Sequence, residues 1–213
     1  MLICQRCQNS LLEKSNFCPY CGKMLSPEGK LPLEDIPLVF LRADLSGFTS
    51  LSESLEAEDV MQFLNSLFED FCKIIEKYRG ILYQIIGDEI VGIFGLTHET
   101  EYTPHLAVMA VEEIVKRVKD CEQISSAFKE CKIKCGIELA QASIYNIAGN
   151  LRSAIIVTDG FAKSLILQRN AGNNSVLVGE TFYQATRSVF EYEEYGELVE
   201  SHLSIRAYKL KLR

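Results

Sequence analysis

The sequence predicts an α+β fold, a sheet with helices packed on it, preceded by a small metal-stapled segment. Three observations carry this. Four of the 8 cysteines fall within the first 21 residues as two CxxC pairs. Beyond residue 36, β-prone runs alternate with long amphipathic stretches in the order strand, helix, hairpin, helix, strand. No run reaches the roughly 18 apolar residues that a membrane span requires. The order is that of a ferredoxin-like βαββαβ core, here with a C-terminal extension.

Composition sets the outer bounds. Of 213 residues, 47% are hydrophobic and 24% charged, which excludes disordered and fibrous chains. Such a chain buries a core without disulfide staples. Against 29 acidic residues stand 22 basic ones, a net charge of −7, which argues against nucleic-acid or anionic-membrane binding over the whole surface. The opening MLICQRCQNS has neither the basic-then-apolar pattern of an export signal nor an anchor. The expectation is a soluble, cytoplasmic protein.

Cys4-x2-Cys7 and Cys18-x2-Cys21 come first. Each pair can grip one face of a tetrahedral ion, and two pairs close the shell. Gly22 is available where the chain must turn tightly over the metal. Two local disulfides or free thiols are the alternatives, and paired CxxC units without an export signal favour zinc over both. The segment, 1–25, resembles a zinc ribbon. It is too short to fold by burial alone, so a structural zinc ion would supply most of its folding energy. Cys72, Cys121, Cys131 and Cys135 stand singly and read as buried or half-buried thiols.

Residues 26–35, with two prolines and a glycine, read as a linker, and 36–213 as the main domain. The run 37–43 suits a buried central strand ending at Asp44. Over 58–79 apolar residues recur at three- and four-residue steps, the mark of an amphipathic helix, with Gly80 expected just past its end. ILYQII and IVGIF, joined through Gly87-Asp88-Glu89, read as a hairpin. A second helix over 103–120 and a strand at KIKCGIEL complete the core. A further hairpin, a helix near 159–169, strand SVLVG, a helix at 180–189 and a closing strand IRAYKLKL follow.

In this topology the first and third strands are neighbours, so the end of the first lies beside the hairpin and brings Asp44 to Asp88. Two carboxylates beside glycines, with no histidine, are hard oxygen donors suited to Mg²⁺ or Mn²⁺. A pair of such ions could bind a nucleoside triphosphate and activate a sugar hydroxyl. Gly47 and Gly87 would let the backbone approach phosphate. Taken alone, an aspartate at a strand end reads equally as a turn former or a helix cap.

The wording of these segments goes further. ADLSGFTSLSESL, 43–55, resembles the first metal-binding segment of class III adenylyl and guanylyl cyclases, and IIGDEIVGIFG, 85–95, resembles the second. KCGIELAQASIYNIAGN and VLVGETFY are similar to two later segments of that family. By this resemblance Asp44 and Asp88 match the aspartates that bind both metals, and Leu45 lends a backbone carbonyl. Ser46, Gly47, Phe48 and Thr49 match the turn that holds the triphosphate. The family makes 3′,5′-cyclic nucleotides from ATP or GTP, releasing pyrophosphate, at sites formed between two such domains.

The other half of the family's site is absent. Where the family has a base-reading lysine, this chain has Gln84, and the lysine's partner falls at Ile155. The asparagine and arginine that orient the ribose and stabilise developing phosphate charge fall at Ala162 and Ile166. The resemblance therefore implies a metal-bearing half-site that becomes competent with a complementary cyclase-homology domain. A catalytically degenerate sensor or scaffold, and a ribbon-led interaction module on a cyclase platform, are the alternatives.

Overall fold

The computed structural model describes residues 2–11, 18–23, 25, 35–47, 56–97, 101–124, 131–146, 154–200 and 202–213. Strands β1 (Leu2–Ile3) and β2 (Ser10–Leu11) pair antiparallel around the cysteine-rich segment. The rest builds one eight-stranded sheet. Its core elements are β3 (Asp35–Ser46), α1 (Ala57–Lys77), β4 (Gly80–Ile86), β5 (Glu89–Phe94), α2 (Thr103–Ile124) and β6 (Lys132–Asn146). Then come β7 (Ala154–Val157), α3 (Gly160–Asn170), β8 (Ser175–Gly179), α4 (Glu180–Thr186), β9 (Tyr192–Glu200) and β10 (Leu203–Leu210).

The sheet order is β4-β5-β3-β6-β8-β10-β9, with β7 pairing the far end of β6. Its first four strands carry the ferredoxin-like order. β3 sits between β5 and β6, antiparallel to both, from Asp35↔Ser143 to Ser46↔Lys132 on one side and from Val39↔Phe94 to Asp44↔Glu89 on the other. The first strand is longer than 37–43 and already includes Asp35, which the sequence reading gave to the linker. Residues 26–34 of that linker lie outside the described residues.

Strand alternation splits the core in two. Val39, Leu41, Ala43 and Leu45 face α1 and α2, where Leu67, Phe71, Ile75, Val111, Ile114 and Val115 complete the main cluster. Leu38 and Phe40 face the other way and pack with Ala140, Ala142 and Phe161 beneath α3. Arg42 and Asp44 share that second face by the same alternation.

Gly80 lies just past the end of α1 as expected, and Arg79 before it takes the left-handed conformation at φ 65°. Gly80 opens β4, where a Cβ would press on the Phe94 ring and Ile75. The helix at 180–189 stops at Thr186, whose hydroxyl donates to the Phe182 carbonyl at 2.8 Å and bonds the Tyr192 hydroxyl at 2.6 Å. Strand β9 was not foreseen, because YEEYGELVE lacks an apolar face. Its pairing with β10 along eight register positions, with Glu194 on Arg206 at 2.7 Å, makes it an edge strand.

No helix among the described residues is long and apolar enough to cross a membrane.

Candidate functional site

The cysteine cluster closes as the CxxC spacing requires. The four sulfurs of Cys4, Cys7, Cys18 and Cys21 lie within 4.8 Å of one another. The closest pairs are Cys4–Cys21 at 3.6 Å and Cys7–Cys18 at 3.5 Å, far beyond a disulfide bond. Four sulfurs about 2.3 Å from a central zinc lie about 3.8 Å apart, so the set fits that ion. Both knuckles fold alike: Gln8 N–H donates to the Cys4 carbonyl at 2.9 Å, and Gly22 N–H to that of Cys18 at 2.8 Å. Gln8 at φ 62° takes in the first knuckle the left-handed conformation that Gly22 takes at φ 68° in the second. The Cys7 amide, ahead of lesser contacts, lowers the Cys4 thiol, and the Asn9 amide does the same for Cys7. Cys131 and Cys135 are buried and Cys72 half-buried. The side chain of Cys121 lies outside the described residues.

The second site lies at the end of β3. The Leu45 N–H donates to the Asp88 carbonyl at 3.4 Å, pinning the tip of the β4–β5 hairpin against β3. Gly87 at φ 63° makes that tip possible. Asp44 stands opposite Glu89 on β5 and opposite Lys134 on β6. Burial, then the charges of Asp88 and Glu89, push the Asp44 carboxyl above its ordinary range, while Lys134 and a hydrogen bond from Gln168 pull it back. Asp88 and Glu89 thus add negative charge at the end of β3 beside the Asp44 carboxyl.

The turn after Asp44 is partly described. The Ser46 hydroxyl donates to Asn173 at 2.9 Å, and Gly47 turns the chain at φ 85°. Phe48 and Thr49, expected to hold the triphosphate, lie outside the described residues.

The degenerate positions separate into two sets. Gln84, Ile155 and Ala162 are exposed. Gln84 borders a cleft of about 550 Å³ that β4 shares with Pro19, Tyr20, Cys21 and Gly22 of the second knuckle. Its neighbour Tyr83 lies 5.6 Å, ring to ring, from Phe161, next to Ala162. Ile166 instead turns inward, buried with Leu167, Ala171, Leu177 and Ile205. The structure therefore does not bring Ile166 to the surface that carries Gln84 and Ala162.

Sequence reasoning missed four residues around Asp44: Arg42, Glu89, Lys134 and Gln168. Arg42 binds Glu89 through its Nη1, while its buried Nε has no partner. Only Arg42, a charged residue two before Asp44 inside an apolar strand run, left a signal in the sequence.

With this geometry in place, the comparisons are specific. The model of the adenylate and guanylate cyclase catalytic domain matches residues 30–152, more than half the chain. The chain belongs to that family. A zinc-ribbon domain model matches residues 3–25. Among curated relatives, an adenylate cyclase of Anabaena cylindrica is 29% identical over 79 residues, 37% of this chain and 16% of the relative. Adenylate cyclase 1 of Rhizobium meliloti is 23% identical over 112 residues, 51% of this chain and 17% of the relative. The matches thus cover about a sixth of those relatives' length. Of solved structures, the adenylyl cyclase CyaB of P. aeruginosa superposes with a TM-score of 0.76 at 23% identity, over 85% of this chain and 96% of that one. The guanylate cyclase domain of RhGC from Catenaria anguillulae, in complex with GTP, gives 0.72 at 16%, over 84% and 97%. These likenesses establish a cyclase-domain fold.

Proposed function

We propose that the chain supplies the metal-bearing half of a class III nucleotidyl cyclase site, converting ATP or GTP to a 3′,5′-cyclic nucleotide and pyrophosphate when paired with a complementary domain. The observation that carries this is the junction of β3 with the β4–β5 hairpin, where Asp44 meets Asp88 through the Leu45–Asp88 backbone bond. Asp44, Asp88 and the Leu45 carbonyl would hold two Mg²⁺ or Mn²⁺ ions. Such ions supply Lewis-acid activation of a sugar hydroxyl and neutralise phosphate charge. In the reaction the ribose 3′ oxygen bonds to the α-phosphorus, the bond to pyrophosphate breaks, and the hydroxyl proton is lost.

The chain's own residues divide that work. Ser46, Gly47, Phe48 and Thr49 would receive the triphosphate on backbone amides. Lys134, opposite Asp44, adds a fixed positive charge to the same face. The partner would bring to the site at Asp44 the lysine, asparagine and arginine that this chain lacks at Gln84, Ala162 and Ile166. Exposed Tyr83, Ile85 and Ile86 on β4 and Ile155 and Val157 on β7 give that partner apolar surface to cover. Four cysteine thiolates would hold a structural zinc in the N-terminal ribbon.

A second reading, a catalytically degenerate domain that senses metal or nucleotide, is favoured by one observation. Ile166 is part of the packed core and not merely a substituted contact. A mass-resolved cyclic-nucleotide assay, on the chain alone and with domains carrying the three missing residues, separates the readings. Turnover only in the mixture supports the half-site, and silence with every complementary domain supports the degenerate domain.

A further inference from the structure

The loop that joins α3 to β8 reaches back to the end of β3. Asn174 locks it to β6: its N–H donates to the Ile133 carbonyl at 2.7 Å, and its side-chain carbonyl accepts the Ile133 N–H at 3.0 Å. Ile133 is the register partner of Leu45, the residue between Asp44 and Ser46. The grip holds Asn174 at φ 53°, a left-handed conformation that asparagine tolerates better than most residues. Ser175 closes the loop into a turn, its N–H and hydroxyl both donating to the Gly172 carbonyl, at 3.2 and 2.9 Å. That turn presents Asn173, whose side-chain carbonyl accepts the Ser46 hydroxyl at 2.9 Å across 127 residues of sequence. Asn173 is exposed. Ser46 shares the sheet face of Asp44 by strand alternation.

We propose that Asn173 is a positioning residue for the triphosphate turn: through the Ser46 hydroxyl it holds the chain leaving β3 where the backbone amides of that turn meet phosphate. The inference rests on the reading of 46–49 as the triphosphate turn. Ser46↔Lys132 is the last register pair between β3 and β6, and Gly47 turns the chain at φ 85°. A glycine just past the ladder is free to sample many conformations, so a ligand that needs its amide must order it. A hydrogen bond from a loop locked to a central strand removes part of that cost before the ligand arrives. Asn173 carries no charge, so it acts through geometry where Lys134 acts through charge. One such bond is worth about three- to tenfold in affinity.

The test is binding of tripolyphosphate, which offers phosphate without a base, to the full chain in the presence of Mn²⁺. Isothermal titration calorimetry follows it, and the apo thermal transition is recorded in parallel. Asn173→Ala is expected to weaken binding about three- to tenfold. The thermal transition should stay in place, because the bond is exposed and surface substitutions seldom change stability much. Ser46→Ala should lose the same factor, and Ser46→Thr, which keeps the hydroxyl, should restore it. Asn173→Ala combined with Ser46→Ala should bind no worse than either single variant, because the two side chains act as one unit. Wild-type affinity in Asn173→Ala, additive losses in the double variant, or a loss matched by a lowered thermal transition overturns the proposal. Failure of the wild-type chain to bind tripolyphosphate overturns the reading of the turn itself, and the proposal with it.

Discussion

Glu89 stands directly across from Asp44 in the β3–β5 register, and Arg42, two residues back along β3, takes up its carboxylate. The three charges share the sheet face covered by α3. Arg42 and Glu89 side chains are only 13% and 16% exposed, so this pair is shielded from solvent far more than an ordinary surface ion pair. It keeps Glu89, one of the two acidic charges raising Asp44, from acting there unopposed.

Removing Arg42 should therefore do more harm than removing both partners. Arg42→Ala leaves a largely buried carboxylate unpaired beside Asp44, and should destabilise the chain by about 3 kcal/mol in denaturant unfolding. Arg42→Met with Glu89→Gln should recover most of that loss, since buried ion pairs replaced by neutral groups often cost little. Equal losses in the single and double variants would contradict the pairing.

Glu138 offers a pH signature. It lies buried at mid-sheet, opposite Phe40, and accepts the Leu139 N–H at 2.9 Å. Burial pushes its carboxyl up from 4.5 to about 7, against the amides of Leu139 and Phe182 and the charge of Lys163, which pull down; Asp159 pushes up. Between those two pH values the folded chain holds a proton that the unfolded chain has released. Stability should therefore fall as pH rises from about 4.5 to 7, and level off above. At 1.36 kcal/mol per unit the penalty is on the order of 3 kcal/mol. Glu138→Gln should flatten that part of the stability–pH curve and gain stability at pH 8. An unchanged curve would rule out the buried proton.

The ribbon should respond to metal independently of the sheet. The purified chain is expected to hold one zinc per molecule, lost on Cys21→Ser or with a strong chelator. Proteolysis should then open residues 1–25 while the main thermal transition stays in place, because the sheet core is large enough to stand alone. Metal analysis without zinc in chelator-free protein would overturn this.

How much of this was legible in the sequence depends on whether the cause was local. The apolar period over α1, the turn at Gly87 and the CxxC spacings are local, and each gave its element. Asp44 and Asp88 were brought together by topology, which the order of strands and helices implies. Arg42–Glu89 and Asp44–Lys134 arise from strand register, and no pattern within one segment encodes them. The burial of Ile166 likewise comes from packing between elements, against Leu177 and Ile205. Strand β9 escaped because its glutamates alternate with nothing apolar enough to mark a buried face.

The core position of Ile166 also sharpens the activity prediction. The chain alone is expected to show little or no cyclization, because a homodimer presents Gln84 and Ala162 where charge is needed. Losing one charge-stabilising donor typically costs about 10²–10³ in rate. Ile166→Arg should not repair the homodimer, since it would bury a guanidinium among Leu167, Leu177 and Ile205 and should unfold the domain first. Mixing with a domain that carries lysine, asparagine and arginine should restore turnover at one interface site. In that mixture Asp44→Ala here should abolish activity, whereas Ala162→Ser, on the exposed end of α3, should leave it within about twofold of wild type, because surface changes away from a site rarely exceed ~0.5 kcal/mol. Cyclic-nucleotide yield resolved by mass for each combination is the measurement. Robust turnover by the pure chain would overturn the half-site argument, since no residue at these positions could then be supplying the missing charge.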